Sequence, residues 1–356
     1  MEEIPNSKRY AVTKTKLPPC CLRIHPQDPT KIFIGTYKLE DNGTRHGSLD
    51  YYTYIDQTLT LISSTPTSKG AILDVKFHPS DFQLLVTVHS NGHLLIWKFI
   101  DDSLNLIHDV LIDEDTLITS CFFNPNISSS STAKNQILLT FTNGYSGIFN
   151  IETLEMETYF DSCHSLECWT GSFGEFGELK NVVYTGSDDS TIIAHDLRTN
   201  EEIWTLRRGH EAGIVSILSP NENWNKSNPH ALWTGSYDDN LRIWDLRVID
   251  KENPALMSGY IPKKKYAENL GGGVWRLIPS PLENDDRLLV CCMYDGARII
   301  DVENRDDDEK FRVERYFKQD HQSMCYGGDW SCDGKYVATC SFYDNVVQIW
   351  SPDECK

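Results

Sequence analysis

Residues 182–198, VVYTGSDDSTIIAHDLR, align without a gap on residues 231–247, ALWTGSYDDNLRIWDLR. Each stretch holds two β-rich runs around an Asp-rich turn, and a unit repeated in this way marks a fold built by stacking one small element many times. Weaker copies occupy 84–99 (LLVTVHSNGHLLIWKF), 137–151 (ILLTFTNGYSGIFNI), 287–302 (RLLVCCMYDGARIIDV) and 336–350 (YVATCSFYDNVVQIW). A seventh copy, KIFIGTY followed after a long loop by GSLDYYTYI, covers residues 31–55. A third β-rich run ending near proline precedes the paired runs, as in LRIHP, LDVKFHP, CFFNP, IVSILSP and VWRLIPSP.

The pattern is similar to the blades of WD-repeat β-propellers, small antiparallel sheets set around a central channel. It implies an all-β fold, one seven-bladed WD-repeat β-propeller spanning 1–356, with blades near 17–65, 70–112, 116–160, 164–207, 210–262, 271–318 and 321–352. Seven units of about 51 residues exceed the usual ~40–45, the surplus going to loops such as 125–136. Ser128–Thr132 reads as a polar loop within the domain. Only residues 351–356 follow Trp350, so the last blade is predicted to take three strands from the C-terminal end. Residues 8–14, KRYAVTK, are predicted to supply its outer strand, closing the ring and hiding two sheet edges.

Composition narrows the partners. Against 52 Asp+Glu the chain has 33 Lys+Arg, a formal charge of −19, and its only run of three basic residues is Lys263-Lys264-Lys265, with Arg207-Arg208 the next best. Direct nucleic-acid binding is therefore not expected, because a polyanion needs clustered cations; a basic or cationic partner fits. Residues 1–9 have no apolar segment of signal length and no stretch approaches the ~18 apolar residues of a membrane span, so a soluble cytoplasmic protein without a membrane partner is expected. The eleven cysteines include two adjacent pairs, Cys20-Cys21 and Cys291-Cys292, and no C-x-x-C. Reduced thiols are expected, with Cys121, Cys291 and Cys340 acting as small hydrophobes in strands.

In a propeller the loops entering the inner strands and the turns after the second strands meet at one mouth. The former carry His164, His210, Gly271-Gly272-Gly273 and His321; the latter carry Asn91, Asp188-Asp189, Asp238-Asp239, Asp295 and Asp344. WD blades commonly pin themselves with a loop His, a turn Asp, a second-strand Ser or Thr and a third-strand Trp, and His210, Asp238, Ser236 and Trp244 match that pattern as structural residues. His321 with Asp344, Ser341 and Trp350 reads either as a second pin or as part of a site. His195 fills the Trp slot of the fourth blade, so His164 and Asp189 are expected to lack their ordinary partner, leaving His164 the freer histidine. The chain has no G-x-S-x-G elbow, no phosphate-binding G-x-x-x-x-G-K-[ST] loop and no H-E-x-x-H. No cofactor is expected, and no ligand spacing supports a metal.

The set KLPPCCLRI (16–24), H-x-x-E-x-W (164–169), TGSYD (234–238), GGGVWR (271–276), YGGDWS (326–331) and TCSFYD (339–344) resembles the WD-repeat diphthine methylesterase family through nearly the whole chain. That resemblance implies hydrolysis of the methyl ester of methylated diphthine on translation elongation factor 2, yielding diphthine and methanol during diphthamide biosynthesis. The implied substrate is a modified histidine carrying a trimethylammonium group beside a methyl ester. Trp169, Trp275, Tyr326 and Trp330 are then candidates to stack against the quaternary nitrogen. From inferred position, His164 is the candidate base, with Glu167 orienting it or acting itself, and His321 is the alternative base. Arg276, or the amides of Gly272 and Gly273, are candidates for the oxyanion. Ser323 or Cys325 would serve a covalent route, and attack by water is the simpler one. The competing reading is a non-catalytic WD-repeat scaffold, such as a trafficking or ubiquitin-ligase adaptor.

Overall fold

The computed structural model describes residues 4–67, 69–126, 132–247, 262–305 and 308–356. Most of the expected polar loop at 128–132, and residues 248–261 of the fifth blade expected over 210–262, lie outside the described residues. Seven antiparallel sheets follow one another along the chain. Their innermost strands are Pro19–His25, Ile72–Phe77, Ile118–Phe123, Cys168–Phe173, Ile214–Leu218, Val274–Pro279 and Cys325–Trp330. Each of these touches the next, and the seventh touches the first, so the ring is a seven-bladed propeller as expected.

Burial explains why the strands look as they do. Middle strands such as Leu84–His89 and Ala231–Ser236 are buried on both faces, because a neighbouring blade covers each side. Outer strands such as Glu155–Tyr159 alternate exposed and half-buried residues. Seven apolar clusters result, one for each pair of adjacent blades. The cluster between the seventh and first blades joins Ala338, Cys340, Val347 and Ile349 to Leu22, Ile24, Ile32, Ile34 and Tyr52, with Tyr10 and Ala11 packed against it. Those two belong to Ser7–Lys14, which pairs antiparallel with Val346–Cys355, Ala11 opposite Ile349. The N-terminal strand thus completes the last blade. All eleven cysteines are free thiols, and Cys121, Cys291 and Cys340 are buried.

Four blades are pinned internally through a threonine of the second strand. Thr234 Oγ1 meets His210 Nε2 at 2.8 Å and takes the Trp244 indole N–H at 2.8 Å. Thr339 joins His321 at 2.7 Å to Trp350 at 3.0 Å, and Thr87 joins His89 at 2.8 Å to Trp97 at 2.9 Å. In the fourth blade Thr185 lies 3.0 Å from both His164 Nε2 and His195 Nε2.

Two expectations are corrected here. Ser236 is not the bridge: its hydroxyl donates to the Ala212 carbonyl, and Thr234, two residues earlier and so on the same face of the strand, reaches His210 and Trp244. His164 does not lack a partner, because His195 fills the Trp slot with a ring that the same threonine can bond.

Thr339→Val removes the shared partner of His321 and Trp350 while preserving shape, and is expected to cost about 2–4 kcal/mol, measured by urea unfolding. Acid should destabilise the propeller earlier than carboxylate titration alone would. Burial lowers His89 and His321 to about 4 and His195 and His210 to about 3. These histidines stay neutral when folded, so their contribution is complete above the unfolded value near 6.5 and is lost as pH falls toward 4. Glu175 and Glu309, raised by burial to about 7, take up protons in the folded state and offset part of this. Four groups against two leave an expected loss of roughly 2 kcal/mol per pH unit between pH 6 and 5, checked by unfolding at stepped pH.

Candidate active site

Every inner strand has a register shift at its second residue, where one extra residue bulges out of the ladder. The bulged residues are Cys20, Leu73, Thr119, Trp169, Val215, Trp275 and Tyr326, and all seven line one cavity of about 590 Å³ at the mouth of the channel. A bulge re-aims a side chain that regular pairing would direct into a blade interface. Small side chains come from the first three blades and the fifth, large aromatic ones from the fourth, sixth and seventh.

The turns after the second strands add Tyr37, Tyr237 and Phe342 to the wall. The ring centroids of Trp169 and Trp275 lie 5.9 Å apart, Tyr237 and Trp275 5.9 Å, Trp275 and Tyr326 4.7 Å, and Tyr326 and Phe342 5.5 Å. Tilted rings at these separations form one continuous aromatic arc. Asp188 stands behind it: a Cβ on Gly213 would lie 2.4 Å from its Oδ1 and 3.0 Å from the Tyr237 ring. Burial raises the Asp188 carboxyl; the nearby Trp169 indole opposes the shift, and the Glu167 and Asp189 charges add to it. The Asp188 N–H donates to the Glu167 carbonyl at 3.0 Å, which keeps the two residues adjacent.

The floor is cationic. Arg276, the residue after the sixth blade's bulge, reaches across the channel to within 3.4 Å of Asp74 on the second blade. Burial alone would raise the Asp74 carboxyl, but the charges of Arg276, Lys76 and Arg23 outweigh it and hold it at about 2. Side chains able to act as nucleophiles are otherwise engaged. Ser120 donates to the Trp169 carbonyl at 2.6 Å, Thr119 to the Cys168 carbonyl at 2.5 Å, and burial pushes the Cys20 thiol up to about 12.

Of the residues singled out from sequence, Trp169, Trp275, Arg276 and Tyr326 come together in the cavity; Glu167 is outside its lining, and its charge acts on Asp188 and on the lining residue Tyr237. His164, His210 and His321 sit inside their blades in the threonine pins, away from the cavity lining. Trp330 is buried at the opposite end of its strand, its indole donating to the Ile278 carbonyl at 2.9 Å. Gly271, Gly272 and Gly273 have φ of 78°, 81° and 73°. A Cβ on Gly272 would lie 2.7 Å from the Asp295 nitrogen, so this turn needs glycine. The Gly273 N–H is taken by Asp239 Oδ1 at 2.6 Å, which removes it as an oxyanion donor. Cys325 is buried, and Cys291 and burial push its thiol well up; Ser323 Oγ accepts the Tyr343 N–H at 3.1 Å.

Sequence reasoning missed Tyr237, Phe342 and Asp74 as site residues. A signal for the first two existed: each follows the serine that ends its second strand, in TGSYD and TCSFYD, and Asp188 holds that place in TGSDD. Asp74 had none, since a carboxylate within an apolar run, ILDVKF, shows no partner until the ring closes.

Comparison with known proteins fits this architecture. Residues 200–245 and 314–351 match the family described as "WD domain, G-beta repeat". A chain of a mitotic checkpoint complex crystal structure superposes with a TM-score of 0.71 at 12% identity, covering 99% of this chain and 94% of that one, a likeness of fold alone. A Saccharomyces cerevisiae protein named diphthine methyltransferase is 39% identical over 98% of this chain and 100% of its own length. A Schizosaccharomyces pombe protein of the same name is 31% identical over 90% of each chain, and a human one 24% identical over 83% of this chain and 64% of its own. With that identity sustained from end to end, the chain belongs to the diphthine methyltransferase family of WD-repeat proteins.

Proposed function

We propose that this protein acts in diphthamide biosynthesis as a methylesterase, hydrolysing the methyl ester of methylated diphthine on elongation factor 2 to diphthine and methanol. The observation that carries the reading is the arc of Trp169, Tyr237, Trp275 and Tyr326, backed by the Asp188 carboxylate and floored by Arg276. Aromatic faces with nearby negative charge attract a quaternary ammonium, and a guanidinium attracts the oxygen of an ester carbonyl. A cavity of about 590 Å³ is of a size to take one modified side chain presented by a large protein in the cytoplasm.

Water is the proposed nucleophile, because Thr119 and Ser120 of the lining are bonded and burial holds the Cys20 thiol protonated. Glu167, half-buried and close enough for its charge to act on Tyr237 of the cavity wall, is the proposed base. His164 and His321 were alternatives from sequence, but both lie in pins with Nε2 engaged. The carboxylate takes a proton as the water oxygen bonds to the ester carbon, and Arg276 stabilises the oxyanion. The C–OCH3 bond then breaks, the leaving oxygen takes the proton as methanol, and the product acid ionises. The family name speaks of methyl transfer; in this reading the acceptor is water.

Incubation with elongation factor 2 bearing methylated diphthine, with no methyl donor added, should release methanol and leave the factor lighter by one CH2, read by mass spectrometry. Well-folded protein that releases none would return the chain to the scaffold class. Trp275→Leu is expected to raise KM roughly tenfold or more, a cation–π contact in a desolvated site being worth about 2 kcal/mol. Arg276→Gln is expected to lower kcat by roughly 10²–10³. An unchanged kcat in that variant would remove Arg276 from the reaction.

A further inference from the structure

Beneath the aromatic cavity the inner strands bring five charged side chains into the channel: Arg23, Asp74, Lys76, Arg276 and Asp329. Asp74 is shared, lying 3.4 Å from Arg276 and 3.2 Å from Lys76 Nζ. Asp329 accepts the Ile24 N–H at 2.8 Å and the Trp330 N–H at 3.0 Å, and the charges of Arg23 and Lys76 act on it without a direct ion pair among the described residues. Arg23 is held by the Gly328 carbonyl at 3.0 Å, a neutral acceptor. Three cations thus face two carboxylates, both of which also accept backbone N–H bonds, leaving one positive charge in excess. The nearby thiols of Cys20 and Cys121 are raised by burial and stay uncharged. A surplus of positive charge inside a chain of net charge −19 is costly to keep unless an anion completes it.

We propose that this part of the channel is an anion subsite for a carboxylate, so that cavity and channel together hold a betaine-type zwitterion with its ammonium on the rings and its carboxylate on Arg276 and Lys76. The inference deepens the proposed function, on which it rests for the physiological ligand: the acid product carries the charge that the subsite lacks, and the neutral ester does not. The protein therefore binds its product more tightly than its substrate and retains it until a reaction that consumes the carboxylate follows. Burial and the neighbouring Arg23 and Arg276 lower Lys76 to about 8, with Asp74 opposing, so the subsite weakens as pH rises through that value.

The probes are glycine betaine, its methyl ester and tetramethylammonium, titrated while following the indole N–H resonances of Trp169 and Trp275. At pH 7 the betaine should bind at least tenfold more tightly than the other two, and roughly tenfold of that preference should vanish by pH 9 as Lys76 discharges. Lys76→Met should abolish the preference at pH 7 with tetramethylammonium binding changed less than twofold, and Lys76→Arg should keep it at pH 9. Equal binding of betaine and ester, or a preference indifferent to both variants, overturns the subsite. Betaine preference without methanol release from the modified factor would uphold the subsite and sink the esterase; methanol release without that preference would do the reverse.

Discussion

The structure depends on the burial of each blade's two faces against its neighbours. Among the described residues seven interfacial clusters share the apolar surface, and each requires both blades beside it. A chain that starts and stops inside such a ring would expose two faces and two strand edges. Pairing of Ser7–Lys14 with Val346–Cys355 removes the open edge of the last blade, and the cluster linking Ile349 to Tyr52 seals the last interface.

Closure also makes the site. Seven bulges at equivalent positions would be unconnected irregularities in separate sheets, but the ring brings them to one circle around the channel mouth. The blades differ only in what the bulge carries, so large rings on the fourth, sixth and seventh blades give the cavity an aromatic side and an opposite side of smaller groups. Threonine-centred bonding holds the fourth and seventh of these blades rigid from within. A wall so fixed is organised before any ligand arrives, which lowers the cost of binding.

Charge is segregated along the axis. Asp188 stands behind the rings, with Lys38 and Arg276 in the cavity lining, while Lys76 and Arg23 lie deeper with Asp74 and Asp329 and outnumber the carboxylates once Arg276 is counted. That order attracts a cation to the rings and an oxygen anion to the floor. The histidines take no part in this gradient: those in the pins bond threonines inside their blades, and burial keeps His89, His195, His210 and His321 uncharged near neutral pH.

The fold was legible from the chain because propeller blades are local: strand, turn and strand fall within one repeat, as VVYTGSDDSTIIAHDLR shows, and the shortage of C-terminal strands pointed to the N-terminal one. The repeated threonines Thr87, Thr185, Thr234 and Thr339 were in view too, though Ser236 was chosen over Thr234 because strand register, which sets the face a residue occupies, was not. Trp169, Trp275, Arg276 and Tyr326 could be proposed from position. Only the tertiary structure decided that His164 and His321 turn inward, that Trp330 lies at the wrong end, and that Arg276 meets Asp74 across the channel. The reason is physical: a repeat encodes contacts within a blade, whereas a contact across the channel joins strands far apart in the chain and exists only once the circle is closed.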